Sequence, residues 1–112
     1  MRTAKLIEVQ RALKKERSNI VLINVLPSDL FEKEHIPNSI NIPSQRPDFV
    51  EQVKSEVVDK DTPIILYCSS PRSSLSKQAV IKLEKEGFTN VIHFKGGMEE
   101  WRNSGEKVEQ RG

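Results

Sequence analysis

The stretch IILYCSSPRSSLSKQAVIKL, residues 64–83, decides how this chain is read. Ile64-Ile-Leu-Tyr is a short, continuous apolar run after Pro63, the pattern of a strand buried on both faces. It runs straight into Cys68. The six residues that follow, Ser69 to Ser74, are small and polar apart from Pro71 and Arg72, and they read as a loop. Ser73 or Ser74 then starts a helix whose stripe is Leu75, Ala79, Val80 and Leu83, and Gly87 ends it as a C-cap. Ile81 lies off that stripe, which predicts cover on more than one side of the helix.

Outward from this unit the same alternation repeats. Thr3 is expected to cap a helix with Leu6, Val9 and Leu13 on one face. Ile20-Val-Leu-Ile is β-branched and short, a second buried strand. Pro27, Ser28 and Asp29 open a helical turn through Phe31 and Glu34. The two prolines of His35-Ile-Pro-Asn-Ser-Ile-Asn-Ile-Pro mark a turn before a very short strand at Ile40–Ile42. Pro47 and Asp48 suit the first turn of a helix carrying Phe49, Val50, Val53 and Val57. Val91–Phe94 reads as a third long strand, Gly96-Gly97 as a sharp turn and Met98–Asn103 as a last helix. The polar tail from Ser104, Val108 aside, is expected to fray. Strands alternating with helices predict an α/β fold, a mainly parallel sheet with helices on both faces. With neither linker nor repeat, residues 1–112 read as one domain.

Composition narrows the function classes. The chain has 112 residues, 36% hydrophobic and 30% charged, with one cysteine and two histidines. A chain of this size buries roughly 65% of its unfolded surface, enough for a core without staples. A single Cys excludes an intramolecular disulfide framework and any zinc site built on several thiolates. No apolar run exceeds about five residues, far short of a transmembrane helix. The opening MRTAKLIEVQ lacks the apolar segment of a secretory signal, so a soluble, cytoplasmic protein is expected. Eighteen basic against sixteen acidic residues, interspersed, give no footprint for nucleic acid. Neither a metal nor an organic cofactor is expected, and no phosphate loop of the P-loop or dinucleotide type is present.

The candidate site is the end of the Ile64–Tyr67 strand. In open α/β sheets, ligands bind beyond the carboxyl ends of the strands, where Cys68 falls. The loop must curl back before the helix begins, so its backbone N–H groups can converge above the sulfur. Pro71 has none, which leaves Ser69, Ser70, Arg72, Ser73 and Ser74 as candidate donors. Such a nest, with a helix N-terminus beyond it, favours a thiolate and an anionic group attached to it. The competing reading is an inert buried cysteine, since free Cys is among the most buried residue types. Arg72 is either a bidentate partner for substrate oxyanions or a solvated loop arginine. Ser73 and Ser74 either donate to the sulfur or cap the helix. His35 reads as a structural residue bonding the turn backbone, and His93 as a partly buried core residue. Tyr67, Phe94 and Trp101 read as core and rim, and Lys95 as a solvated lysine that can add positive potential.

Four segments together resemble the rhodanese-like (sulfurtransferase) family over nearly the whole chain. His35-Ile-Pro-Asn-Ser-Ile-Asn-Ile-Pro43 is similar to its H-I-P-x-[AS]-x-N-I-P signature. Ile64-Ile-Leu-Tyr-Cys68 resembles its strand into the active-site cysteine. Glu86-Gly-Phe-Thr-Asn-Val-Ile92 and Gly96-Gly-Met-Glu-Glu-Trp101 resemble its E/A-G-F-x-N-V and G-G-[MI]-x-x-W segments. The resemblance implies a doubly wound sheet of about five parallel strands. It also implies Cys68 as nucleophile in a six-residue cradle, Ser69 to Ser74. Three departures stand out. Asn24-Val25-Leu26 replaces the usual Asp-Val-Arg, Glu34 replaces a Gly, and Pro71 replaces the loop Gly. Pro71 fixes φ near −65° and removes a donor, which implies a stiffer, weaker cradle.

The implied chemistry needs one low-proton-affinity cysteine and no metal. The Cys68 thiolate takes the outer sulfur of a small sulfur-containing anion such as thiosulfate. The resulting persulfide passes it to cyanide, a thiol or a protein sulfur acceptor, in two half-reactions. No histidine beside the cysteine is required. A phosphatase of related fold needs Cys-x5-Arg, and that position is Ser74, with Arg72 two places early. The remaining rival is a rhodanese-like module that carries persulfide or binds a partner without turnover.

Overall fold

The computed structural model describes residues 2–15 and 19–111. Five parallel strands form one sheet: β1 (Arg2–Ala4), β2 (Val21–Asn24), β3 (Ile40–Asn41), β4 (Ile64–Tyr67) and β5 (Val91–Phe94). Their order is β1-β5-β4-β2-β3, which puts the fully buried β4 at the centre, between β2 and the fully buried β5. Four helices connect them, α1 (Leu6–Lys14), α2 (Ser28–Lys33), α3 (Phe49–Glu56) and α4 (Leu75–Lys85), and a fifth, α5 (Gly97–Asn103), follows β5. The helices lie on both faces of a parallel sheet, the α/β arrangement read from the alternation and the doubly wound one that the resemblance implies.

Side chains alternate across a strand, so adjacent residues feed opposite layers. Ile64, Leu66 and Cys68 face a layer completed by Phe49 and Val53 of α3 and by Ala79, Val80 and Leu83 of α4. Ile65 and Tyr67 face the other, with Val9 of α1, Phe94 of β5, and Met98 and Trp101 of α5. The same parity sends Val91 and His93 of β5 to the α4 side. Leu66 is the registered neighbour of His93, so the end of β4 and the middle of β5 lie side by side under α4.

Three expectations from sequence are corrected. Thr3 caps nothing: it lies in β1, paired with His93, and the N-cap of α1 is Lys5, whose N–H donates to Glu8 Oε1 at 2.9 Å. Three residues were too few to show a strand period, whereas pairing with β5 supplies their backbone partners. Ile81 is exposed, so α4 is covered on one side only. The tail is tied down. Glu109 pairs with His35 through both backbone groups, Arg111 N–H donates to Glu32 O, Lys107 O accepts from Trp101 Nε1, and Val108 packs on the core.

Candidate active site

Cys68 sits immediately beyond β4 at the carboxyl edge of the sheet, 1% exposed. Two carbonyls fix the backbone there. Cys68 O accepts from Met98 N–H at 2.9 Å and Ser69 O from Glu99 N–H at 2.8 Å, so the first turn of α5 clamps the strand end. Gly97 makes this possible. Its φ is +63°, and a Cβ there would lie 2.6 Å from Cys68 O. Gly97 therefore serves the site by letting α5 approach.

The loop closes on itself rather than on the sulfur. Ser73 N–H donates to Ser70 O at 3.1 Å and Arg72 N–H to Ser70 Oγ at 3.3 Å, so two of the expected anion donors are engaged within the loop. The sulfur lies 4.0 Å from Ser70 O and 3.9 Å from Ser73 O, both acceptors suited to a thiol S–H. Among the described residues its one short partner is Ser76 Oγ at 3.0 Å, and Ser76 Oγ is 2.7 Å from His93 Nε2. Ser73 and Ser74 act at the start of α4: Ser73 Oγ accepts from Leu75 N–H, and Ser74 Oγ from Gln78 Nε2. Arg72 is turned outward, 84% exposed, with its guanidinium 3.2 Å from Glu99. Ser69 and Ser70 line a cavity of about 280 Å³ whose wall is Leu26, Leu30 and Met98. Its rim carries Lys33, Glu34, Glu99 and Arg102, the last paired with Glu34.

The two histidines separate. His35 is structural: its Nδ1 is 2.8 Å from Phe31 O and its ring stacks on Phe31 at 3.9 Å. His93, read from sequence as a partly buried core residue, is buried, and it is also one hydroxyl away from the cysteine. Burial, then the nearby Lys95 and Lys77, hold its imidazole below the ordinary 6.5. Sequence reasoning missed Ser76 as well. Its signal was present, because Ser76 falls on the buried stripe of α4 with Ala79, Val80 and Leu83, where a hydroxyl needs a partner. Lys95 lines the same shallow cavity as Thr3, Ser74, Lys77 and His93.

The Asn24-Val25-Leu26 stretch is also explained. Asn24 Oδ1 accepts from Leu26 N–H at 2.9 Å, and Asn41 Nδ2 spans Asn24 O and Leu26 O. Leu26 is buried and forms part of the apolar cavity wall.

Residues 7–104 match the family model described as the rhodanese-like domain. The thiosulfate sulfurtransferase GlpE of Coxiella burnetii is 32% identical over 88 residues, which cover 78% of this chain and 76% of that protein. The protein of the same name from Pseudomonas syringae is 31% identical over 101 residues, covering 89% of each. Among solved structures, the BH2092 protein from Bacillus halodurans superposes with a TM-score of 0.84 at 26% identity, covering 97% of this chain and 77% of that one.

Proposed function

The chain belongs to the rhodanese-like domain family, and from that premise we propose that it moves a sulfane sulfur through a persulfide on Cys68. The donor is thiosulfate or a persulfide or polysulfide, and the acceptor is cyanide or a thiol. The observation that carries the reading is the chain's one cysteine at the carboxyl end of β4, beside a cavity and with a hydroxyl at 3.0 Å. Curated relatives of similar length that bear the name thiosulfate sulfurtransferase support the donor class.

In the first half-reaction the thiolate attacks the outer sulfur of thiosulfate. The Sγ–S bond forms as the S–S bond of thiosulfate breaks, and sulfite leaves with the bonding pair. Cyanide or a thiolate then takes the terminal sulfur and regenerates the Cys68 thiolate, so the kinetics are ping-pong. Anion binding falls to the Ser69, Ser70 and Ser74 amides and to Arg72, which must exchange Glu99 for the donor's sulfonate. An exposed ion pair is worth less than about 1 kcal/mol, so that exchange is easy.

The test is thiocyanate release from thiosulfate and cyanide by wild type and Cys68→Ser, with intact mass on the same samples. Turnover and a one-sulfur adduct in wild type, both absent in the variant, support the enzyme. An adduct without turnover favours a persulfide carrier. No adduct from thiosulfate or polysulfide overturns sulfur transfer and leaves a partner-binding module.

A further inference from the structure

We propose that Ser76 and His93 are the proton exit of Cys68, Ser76 touching the reacting sulfur and His93 acting through it as a positioning residue. This deepens the sulfurtransferase reading and rests on it for its purpose, because sulfur transfer requires the thiolate.

The need for an exit comes from the surroundings of the sulfur. Cys68 is 1% exposed, so water has almost no direct access to its proton. The carbonyls of Ser70 and Ser73 accept S–H but repel S⁻. Ser76 Oγ is the neighbour that can do both, as acceptor to the thiol and donor to the thiolate. A serine 1% exposed on the apolar stripe of a helix is costly unless its hydroxyl is bonded on both sides, as this one is.

The step balances without any other reagent. In the thiol form Sγ–H donates to Ser76 Oγ, whose own proton points at His93 Nε2 while Nδ1 carries the imidazole hydrogen. The thiol proton moves to Oγ as the Oγ proton moves to Nε2, leaving a thiolate and an imidazolium. The imidazolium then releases its Nδ1 proton to water through the cavity it lines with Thr3, Ser74, Lys77 and Lys95. In the final form Nε2–H donates to Oγ and Oγ–H donates to the thiolate, so both hydrogen bonds have reversed direction. His93 suits a conduit because it is neutral at pH 7 and passes the proton on. Charges facing the chain are Lys77 from α4, Lys95 beyond β5 and Arg72 from the loop, the last balanced by Glu99 of α5. β1 and β4 present Thr3 and Leu66 to His93, neither of them charged.

The test uses the full chain as wild type, Ser76→Ala, Ser76→Thr and His93→Gln, each first checked for cooperative thermal unfolding. Two rates are followed against pH: alkylation of Cys68 by iodoacetamide, which needs no substrate, and kcat/KM for thiosulfate. Both should fall about tenfold at pH 7 in Ser76→Ala and His93→Gln, and the loss should shrink as pH rises. Ser76→Thr, which keeps the hydroxyl, should retain the wild-type profile. A loss of equal size at every pH, or profiles of Ser76→Ala and His93→Gln that coincide with wild type, would overturn the exit. If Ser76→Ala does not fold, the His93→Gln profile decides. The two readings fail separately: a wild type that forms the sulfur adduct with unshifted variants sinks only the exit. Shifted alkylation with no adduct from any donor sinks only sulfur transfer.

Discussion

Tyr67 and Cys68 are neighbours in sequence, and each anchors a buried polar network on its own face of the sheet. The Tyr67 network is closed. Its hydroxyl accepts from Ile36 N–H at 3.0 Å and shares a hydrogen bond with Ser39 Oγ at 2.8 Å, and Ser39 Oγ returns to Ile36 O at 2.7 Å. Burial pushes its phenol above the ordinary 10, so it stays neutral and holds the turn that leads into β3. The Cys68 network is open. It runs from the sulfur through Ser76 to His93, which borders a cavity with two lysines. A closed ring of hydrogen bonds fixes one geometry, whereas an open chain with a titratable end can move a proton. The same strand end thus carries a structural lock on one side and an open chain that starts at a cysteine sulfur on the other.

The largest expected effect strikes both networks at their shared backbone. Gly97→Val forces a side chain onto Cys68 O at a φ of +63°. It should cost about 2–4 kcal/mol in urea unfolding and abolish whatever sulfur transfer the wild type shows. Wild-type stability in this variant would show that the α5 clamp is dispensable.

Tyr67→Phe breaks only the closed network. It leaves Ile36 N–H without its partner, and a loss of about 1–3 kcal/mol is expected. The pH profile of Cys68 alkylation should keep its wild-type shape. A shifted profile would mean that the two faces are coupled and the contrast between them is false.

The smallest effect is acid sensitivity from the open network. His93 binds its proton more weakly in the folded chain than in the unfolded one, so the unfolded state takes up more protons as pH falls. Its share of stability is therefore complete above about pH 6.5 and is lost below, down through the folded-state value. Urea midpoints measured at pH 7.5 and pH 5 should separate more in wild type than in His93→Gln. Equal separations would remove His93 as the acid-sensitive group.

Much of the fold was legible because the signals are local. Ile64–Tyr67 and Val91–Phe94 are continuous apolar runs, and strands buried on both faces admit nothing else. The stripe of α4 and the positive φ of Gly87 followed from spacing and residue type. Thr3 was misread because a three-residue edge strand has too short a period to detect, and its pairing with β5 joins residues ninety positions apart. The tail misled for a related reason. Its composition is polar, yet its backbone finds partners in Glu32 and His35, more than seventy positions earlier in the chain.

The site divided along the same line. Residue order alone placed Cys68 at a strand end before a serine-rich loop and a helix, because strand, loop and helix are successive in the chain. Only the tertiary structure decided which groups touch the sulfur. Parity on β5 points His93 toward α4, the parallel register sets it beside Leu66, and the pitch of α4 drops Ser76 between His93 and Cys68. The three residues lie just beyond β4, on α4 and on β5, and the Ser76 and His93 segments by themselves read as ordinary core. Hydrogen-bond length is set by packing between elements, which no single segment of sequence contains.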